Sequence, residues 1–271
     1  MTKKVKIDVP SIKGSGSVSP SPQVEATIGG REFGRLDAIP EEGKIVDVDV
    51  ASLSHLDDGD PVSSWDGAVQ DDPQYQPKYH VGEDGIPYVD FDGVAWMYGP
   101  PEMKPSSMSQ DHTIYAVMER VGRGSAACMG WNDTSQGGSF QNGWSYIMIA
   151  GRRWAARWGG DGGTGNRDRW NHTTQQRYCF ASRIRAGWWH DVQFSGTSQG
   201  GHVAGTGVPP NEEDVPPIIG SVSALENDPP VSSVAQFRLF RLIMFDRLLT
   251  PMDHLGVQEI LENKYNTIEM Q

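Results

Sequence analysis

The chain has 271 residues, and its 32 Gly and 18 Pro are too many for a helical bundle yet follow no low-complexity period. Nine Trp, eight Tyr and eight Phe supply a core, which excludes global disorder. A formal charge of −12 argues against a nucleic-acid binder, two Cys cannot build a disulfide scaffold, and no window approaches the roughly 18 apolar residues of a membrane span.

Residues 1–24 read as an extended basic arm. Lys3, Lys4, Lys6 and Lys13 face only Asp8, a local +3, and the Gly-Ser and Ser-Pro runs exclude a helix or a central strand. Val5, Ile7 and Val9 alternate with Lys6 and Asp8 at strand period, which suits an edge strand added to a partner's sheet. No apolar run follows the lysines, so no secretory signal is predicted and synthesis in a host cytoplasm is expected.

Residues 25–271 read as one domain. From Asp37 to Asp92 fifteen acidic side chains face Lys44 and Lys78, a net −13, with turn signals at Glu42-Gly43, Asp58-Gly59, Asp66-Gly67, Asp84-Gly85 and Asp92-Gly93. Short β runs are expected at 44–50, 75–80 and 88–91. Residues 113–121, 125–131, 144–150, 152–158, 177–185 and 188–194 follow as strands at antiparallel-sandwich spacing. Residues 196–233 form a polar, Pro-rich excursion in which 217–223 reads as a strand. The run 234–245 reads as a strand that is apolar on both faces late in its course. Thr250, Pro251 and Asp253 then open a helix over 251–265, with Val257, Ile260, Leu261 and Tyr265 on its apolar stripe. Cys128 and Cys179, 51 residues apart in apolar surroundings, read as reduced core thiols.

The C-terminal run FRLFRLIMFDRLLTPMDHLGVQEILENKY resembles the last strand and helix of concanavalin A-like lectin/glucanase domains of the laminin-G-like type. Asp246, Arg247, Leu249, Thr250, Lys264 and Tyr265 carry that resemblance. Upstream, Gly59, Val62, Trp65, Pro87, Val89, Phe91, Asp92 and Gly93 are similar to the family's entry strands. The resemblance covers about 44–266 and implies an all-β fold, a two-sheet antiparallel jelly-roll sandwich. It also implies that Trp65 and Phe91 belong to the inter-sheet core.

Glycosidases on this fold place two carboxylates on one strand at alternating positions. No such pattern occurs, nor do nucleophile-elbow, zincin or phosphate-loop motifs, so no catalytic residue is assigned and a protein that is not an enzyme is expected. The segment 152–172 brings Trp154, Trp158 and Trp170 together with Asp161, Asn166 and Arg169, aromatic planes for sugar C–H faces and polar groups for hydroxyls. The competing reading is that these Trp fill the core. The Asp57–Asp60 turn offers three carboxylates, but no full calcium loop with a distal Glu follows, so no metal or cofactor is assigned and calcium stays a secondary possibility.

Two functions are open at this point. The first is a bacteriophage virion protein, a capsid decoration or head accessory protein attached through its arm to capsid proteins and to copies of itself. The second is a carbohydrate-binding, lectin-like adhesion module, as in a tail fibre, with surface glycans as partners. Nucleic-acid and membrane partners are not expected.

Overall fold

The computed structural model describes residues 36–103, 111–121, 126–132, 143–150, 153–158, 166–171, 176–185, 189–194, 197–201, 216–221 and 235–267. The expected arm, with Lys3, Lys4, Val5, Lys6, Ile7 and Val9, lies outside the described residues, and so does Asp161.

Sixteen strands, two short 3-10 helices (Val50–Leu53 and Pro101–Met103) and one α-helix occupy the described residues. The strands are β1 (Lys44–Asp49), β2 (Ser64–Trp65), β3 (Ala68–Val69), β4 (Lys78–Val81), β5 (Pro87–Asp92), β6 (Met97–Tyr98), β7 (His112–Arg120) and β8 (Ala126–Asn132). They continue as β9 (Gly143–Ala150), β10 (Arg153–Trp158), β11 (Asn166–Asn171), β12 (Arg177–Arg185), β13 (Trp189–Phe194), β14 (Thr197–Gly201), β15 (Ile218–Ile219) and β16 (Gln236–Phe245), before α1 (Pro251–Tyr265). They form two eight-stranded antiparallel sheets, the expected sandwich with one C-terminal helix. The first runs β14-β13-β12-β7-β16-β5-β4, with β1 also on β16; the second runs β11-β10-β9-β8-β15-β6-β3-β2.

β16 organises the first sheet. One of its edges pairs with β7 along nearly its whole length. The other pairs with β5 over Gln236–Leu239 and with β1 over Arg241–Phe245. The register slips between Leu239 and Arg241, leaving Phe240 as an extra residue of the kind a bulge inserts. Phe240 is buried against Tyr88 and Tyr265, with the Arg177 guanidinium 4.1 Å from its ring centroid. Phe91 and Phe237, register partners, stack at 4.8 Å in the core, and Trp65 is buried there too.

Every residue of β7 is buried, although strands with one wet face alternate. Ile114, Ala116, Val117 and Met118 belong to the core, and Tyr115 meets α1. The Tyr115 hydroxyl lies 2.6 Å from His254 Nδ1 of α1 and donates to the His254 carbonyl at 3.2 Å. Thr250 caps α1 by accepting the Asp253 N–H at 3.1 Å, Pro251 opens its first turn, and Asn266 ends it in the left-handed region. The buried stripe is His254, Val257, Gln258, Leu261 and Tyr265, with Ile260 only half-buried.

All five Xaa-Gly turn signals hold their glycine at positive φ, from +73° at Gly43 to +93° at Gly93. Cys128 lies in the second sheet and Cys179 in the first, both buried and neither in a disulfide.

The acidic stretch is not simply a solvated flank. Asp47 grips Arg241 with two 2.9 Å bonds, and Asp49 accepts from Lys264, Tyr265 and the Ala51 N–H. Burial raises the Asp47 pKa, but Arg241 and Lys44 outweigh it and hold the carboxyl below its usual range. Asp84 pairs with Arg177, while Glu119 and Asp90 flank Arg238.

Candidate functional site

The segment singled out for sugar binding is an antiparallel ladder at the end of the second sheet. Trp154 stands opposite Trp170, Trp158 opposite Asn166 and Ala155 opposite Arg169. Alternation along the ladder therefore assigns Trp154, Trp158, Asn166 and Trp170 to one pleat face and Arg169 to the other. Met129, fully buried in the core, pairs with Ile147; two positions along β9, Ile149 pairs with Trp154. The register thus makes the Trp154–Trp170 row an alternate row to that of Met129.

A second aromatic group, without a strong signal in the sequence, lies at the opposite end of the same sheet. Trp96, just before β6, and Tyr98, on it, are spaced two apart and meet edge to face, with centroids 4.8 Å apart at 89°. Tyr75 lies 6.1 Å from Trp96. Tyr98 pairs with Val69 on β3, and these two side chains are 36% and 41% exposed, large apolar surfaces open to water. Gln70 ties the neighbouring loop to this group. Its Nε2 donates to the Trp96 carbonyl at 2.8 Å, and its Oε1 accepts the Asp72 N–H at 3.0 Å. The Trp96 indole N–H is buried without a partner in the protein, an arrangement that costs about 1–3 kcal/mol. The one local cue to this site is the Trp-x-Tyr spacing, which puts both rings on one side of a strand.

The Asp57–Asp60 turn uses its carboxylates internally. Asp58 Oδ1 accepts the Val81 N–H at 2.9 Å and lies 3.1 Å from His80 Nδ1, and Asp60 Oδ2 accepts the Asp57 N–H at 2.8 Å. Among the described residues, no group of three or more His, Cys, Asp or Glu is placed to share a metal ion.

No protein-family model and no curated protein matches the chain. Among solved structures, it is similar to Trypanosoma rangeli sialidase. In the 2,3-difluoro-KDN complex the TM-score is 0.53 at 13% identity, covering 97% of this chain and 37% of that one. In the sialic acid complex the TM-score is 0.50 at 12% identity, covering 90% and 36%. It is also similar to a botulinum neurotoxin type C structure concerned with cell entry through two ganglioside molecules. That match has a TM-score of 0.50 at 10% identity, covering 82% of this chain and 51% of the toxin chain. The chain thus spans about a third to a half of the length of the structures it matches.

At these identities the likeness is one of fold, and it supports the resemblance drawn from the sequence at the level of the β-sandwich. The expectation that the protein is not an enzyme is corrected by the sialidase matches. That expectation rested on the missing pair of alternating carboxylates, and sialidases are exceptions to the two-carboxylate scheme because they use a Tyr nucleophile. The missing pair therefore does not exclude catalysis. Neither the sialidase nor the neurotoxin is a virion component, so capsid attachment gains no support from them.

Proposed function

We propose that this chain is a lectin-like carbohydrate-binding module, of the laminin-G-like type its sequence resembles, and that it docks sugar at the Tyr98 edge of its second sheet. The observation that carries the proposal is the exposed Tyr98 ring seated on Trp96, beside the Gln70–Asp72 loop. A sugar ring has an apolar C–H face and a rim of hydroxyls. Tyr98 and Val69 offer the first a surface. Exposed Asp71 and Asp72 offer the second acceptors. The likeness to a sialidase bound to sialic acid and to a toxin whose cell entry depends on gangliosides supports this reading over capsid decoration.

The test is a glycan array probed with the full chain, followed by titration of the hits. Tyr98→Ala should weaken binding about tenfold, roughly 1.4 kcal/mol, within reach of one lost aromatic contact. Its melting temperature should hold within a few degrees, because the ring is partly exposed. Sialylated hits are also assayed for released sugar, which would extend the function from binding to turnover. A folded protein silent on the whole array overturns the proposal.

A further inference from the structure

Tyr98 and Val69 form an exposed apolar patch on the outer face of the second sheet. Met97 is fully buried in the core, so its strand neighbour Tyr98 takes the opposite face. Ile218, the register partner of Tyr98, packs with Trp96 and Tyr75 in a cluster apart from the main core. That cluster is the floor under the exposed ring. Beyond Val69 the chain stays extended. The Gln70 N–H donates to the Ser63 carbonyl at 2.9 Å, and burial alternates from exposed Val69 through buried Gln70 to exposed Asp71. Asp71 therefore stands on the same side as Val69, about 7 Å beyond it, and exposed Asp72 follows.

The surroundings of this patch are negative. Asp71 has no hydrogen-bond or ion-pair partner among the described residues, and Asp72 Oδ1 accepts only the Gln74 N–H at 2.9 Å. The fold thus gives Asp71 no structural role, in contrast to Asp47, Asp49 and Asp84, each of which faces an arginine. Among the residues whose side chains are described, every Lys and Arg belongs to the first sheet, to the turn after β16 or to α1. The one nearest Asp72 in sequence, Lys78, alternates with core Tyr79 on β4 and so lies on the outer face of the first sheet, across the sandwich. The arginine-bearing strands β10 and β11 stand four and five strands from β6, about 19–24 Å away. That is well beyond the ~8 Å over which exposed charges act at physiological salt.

We propose that the Tyr98 edge selects a cationic sugar, an oligosaccharide whose units carry a protonated amine. This rests on the lectin-like reading and names its ligand class. Charge complementarity chooses the partner. The exposed Tyr98 ring offers an ammonium group a π face, and Asp71 and Asp72 offer it charge-assisted hydrogen bonds. A carboxylated or sulfated sugar would instead bring its charge against two carboxylates, with no described cation beside them to offset the repulsion. A neutral sugar gains the apolar contact alone.

The experiment titrates the full chain with one oligosaccharide in free-amine, N-acetylated and carboxylated forms, and with an oligolysine peptide. The amine form should bind about tenfold tighter than the N-acetylated form, with the carboxylated form weakest. The preference should shrink as salt rises toward ~0.5 M, and fade as pH rises and the amine loses its proton. In Asp71→Asn/Asp72→Asn the ratio of amine to N-acetylated affinity should fall toward one. Asn keeps an acceptor for the Gln74 N–H, so the turn is retained. Asp71→Lys, at an exposed side chain without a partner, should turn the preference toward the carboxylated form. Equal binding of the amine and N-acetylated forms, or tightest binding of the carboxylated form, that still depends on Tyr98 overturns this inference and leaves the lectin reading intact; no binding of any form overturns both. If oligolysine binds and no glycan does, the edge is a peptide site and both readings fall.

Discussion

Replacing Asp49 by alanine removes one carboxylate that joins three parts of the molecule. Its oxygens accept from the Ala51 N–H at 3.0 Å, capping the turn after β1, and from the Lys264 ammonium and the Tyr265 hydroxyl of α1 at 2.9 Å each. It also lies 3.3 Å from Arg241 of β16. Loss of the cap costs about 1 kcal/mol. The part-buried Tyr265 hydroxyl left without its acceptor costs about 1–2 kcal/mol. The Lys264 bond, 41% exposed, adds at most about 0.5 kcal/mol, and Arg241 keeps both bonds to Asp47. Together these give a loss of about 3 kcal/mol, or roughly 6–12 °C in melting temperature for a domain of this size. Urea denaturation of wild type, Asp49→Ala, Tyr265→Phe and the double variant measures it. Tyr265→Phe should cost less alone and add little on top of Asp49→Ala, because the two share one hydrogen bond. An Asp49→Ala loss below about 1 kcal/mol would refute the idea that this carboxylate pins α1 to the sheet.

Three further outcomes are expected. Burial, reinforced by the Arg183 charge, lowers the His254 pKa to about 3. Stability is therefore full above the unfolded value near 6.5 and falls between there and about 3, where only the unfolded chain takes up the proton, by up to about 1.4 kcal/mol per pH unit. Urea midpoints from pH 7 to pH 4.5 should fall less steeply for His254→Gln than for wild type, and parallel slopes would contradict this. Burial pushes both thiols, Cys128 and Cys179, upward, so a thiol reagent should label neither in the native protein and both in guanidinium; rapid native labelling would show an opening absent from this structure. Gly220 has φ +98°, and a Cβ there would sit 2.8 Å from the Ala95 carbonyl oxygen and 2.9 Å from the Phe91 ring. Gly220→Ala should lower stability by about 2–4 kcal/mol, read by calorimetry, whereas a neutral change would mean that the β6–β15 junction yields easily.

Elements with strong local signals are legible in the amino-acid sequence. Thr250, Pro251 and Asp253 mark the start of α1 because a cap, a fixed φ and a first-turn acid act within four residues. β7 and β16 show as long apolar runs because both faces are covered, by the other sheet and by α1. β11 escapes such a reading, since Asn166–Asn171 is NRDRWN and has no β-branched residue. Its strand state comes from its ladder with β10, a tertiary cause that composition does not carry. The acidic stretch looks solvated in the sequence because charge counting along a chain cannot see partners such as Arg241, 194 residues from Asp47.

The candidate site is harder to read for a related reason. Alternation shows that Trp154 and Trp158 share a face but not which face it is. Two pairing rows, Met129 with Ile147 and Ile149 with Trp154, link the ladder to the described core, and beside them lie bulges in β8 and β9 that no local pattern announces. Each bulge reverses the parity counted along its strand. Counting alternate residues back from the core would therefore misplace every position of the β10–β11 ladder. Among the described residues, the solvent-open aromatic surface is supplied by Tyr98, toward the other end of the same sheet.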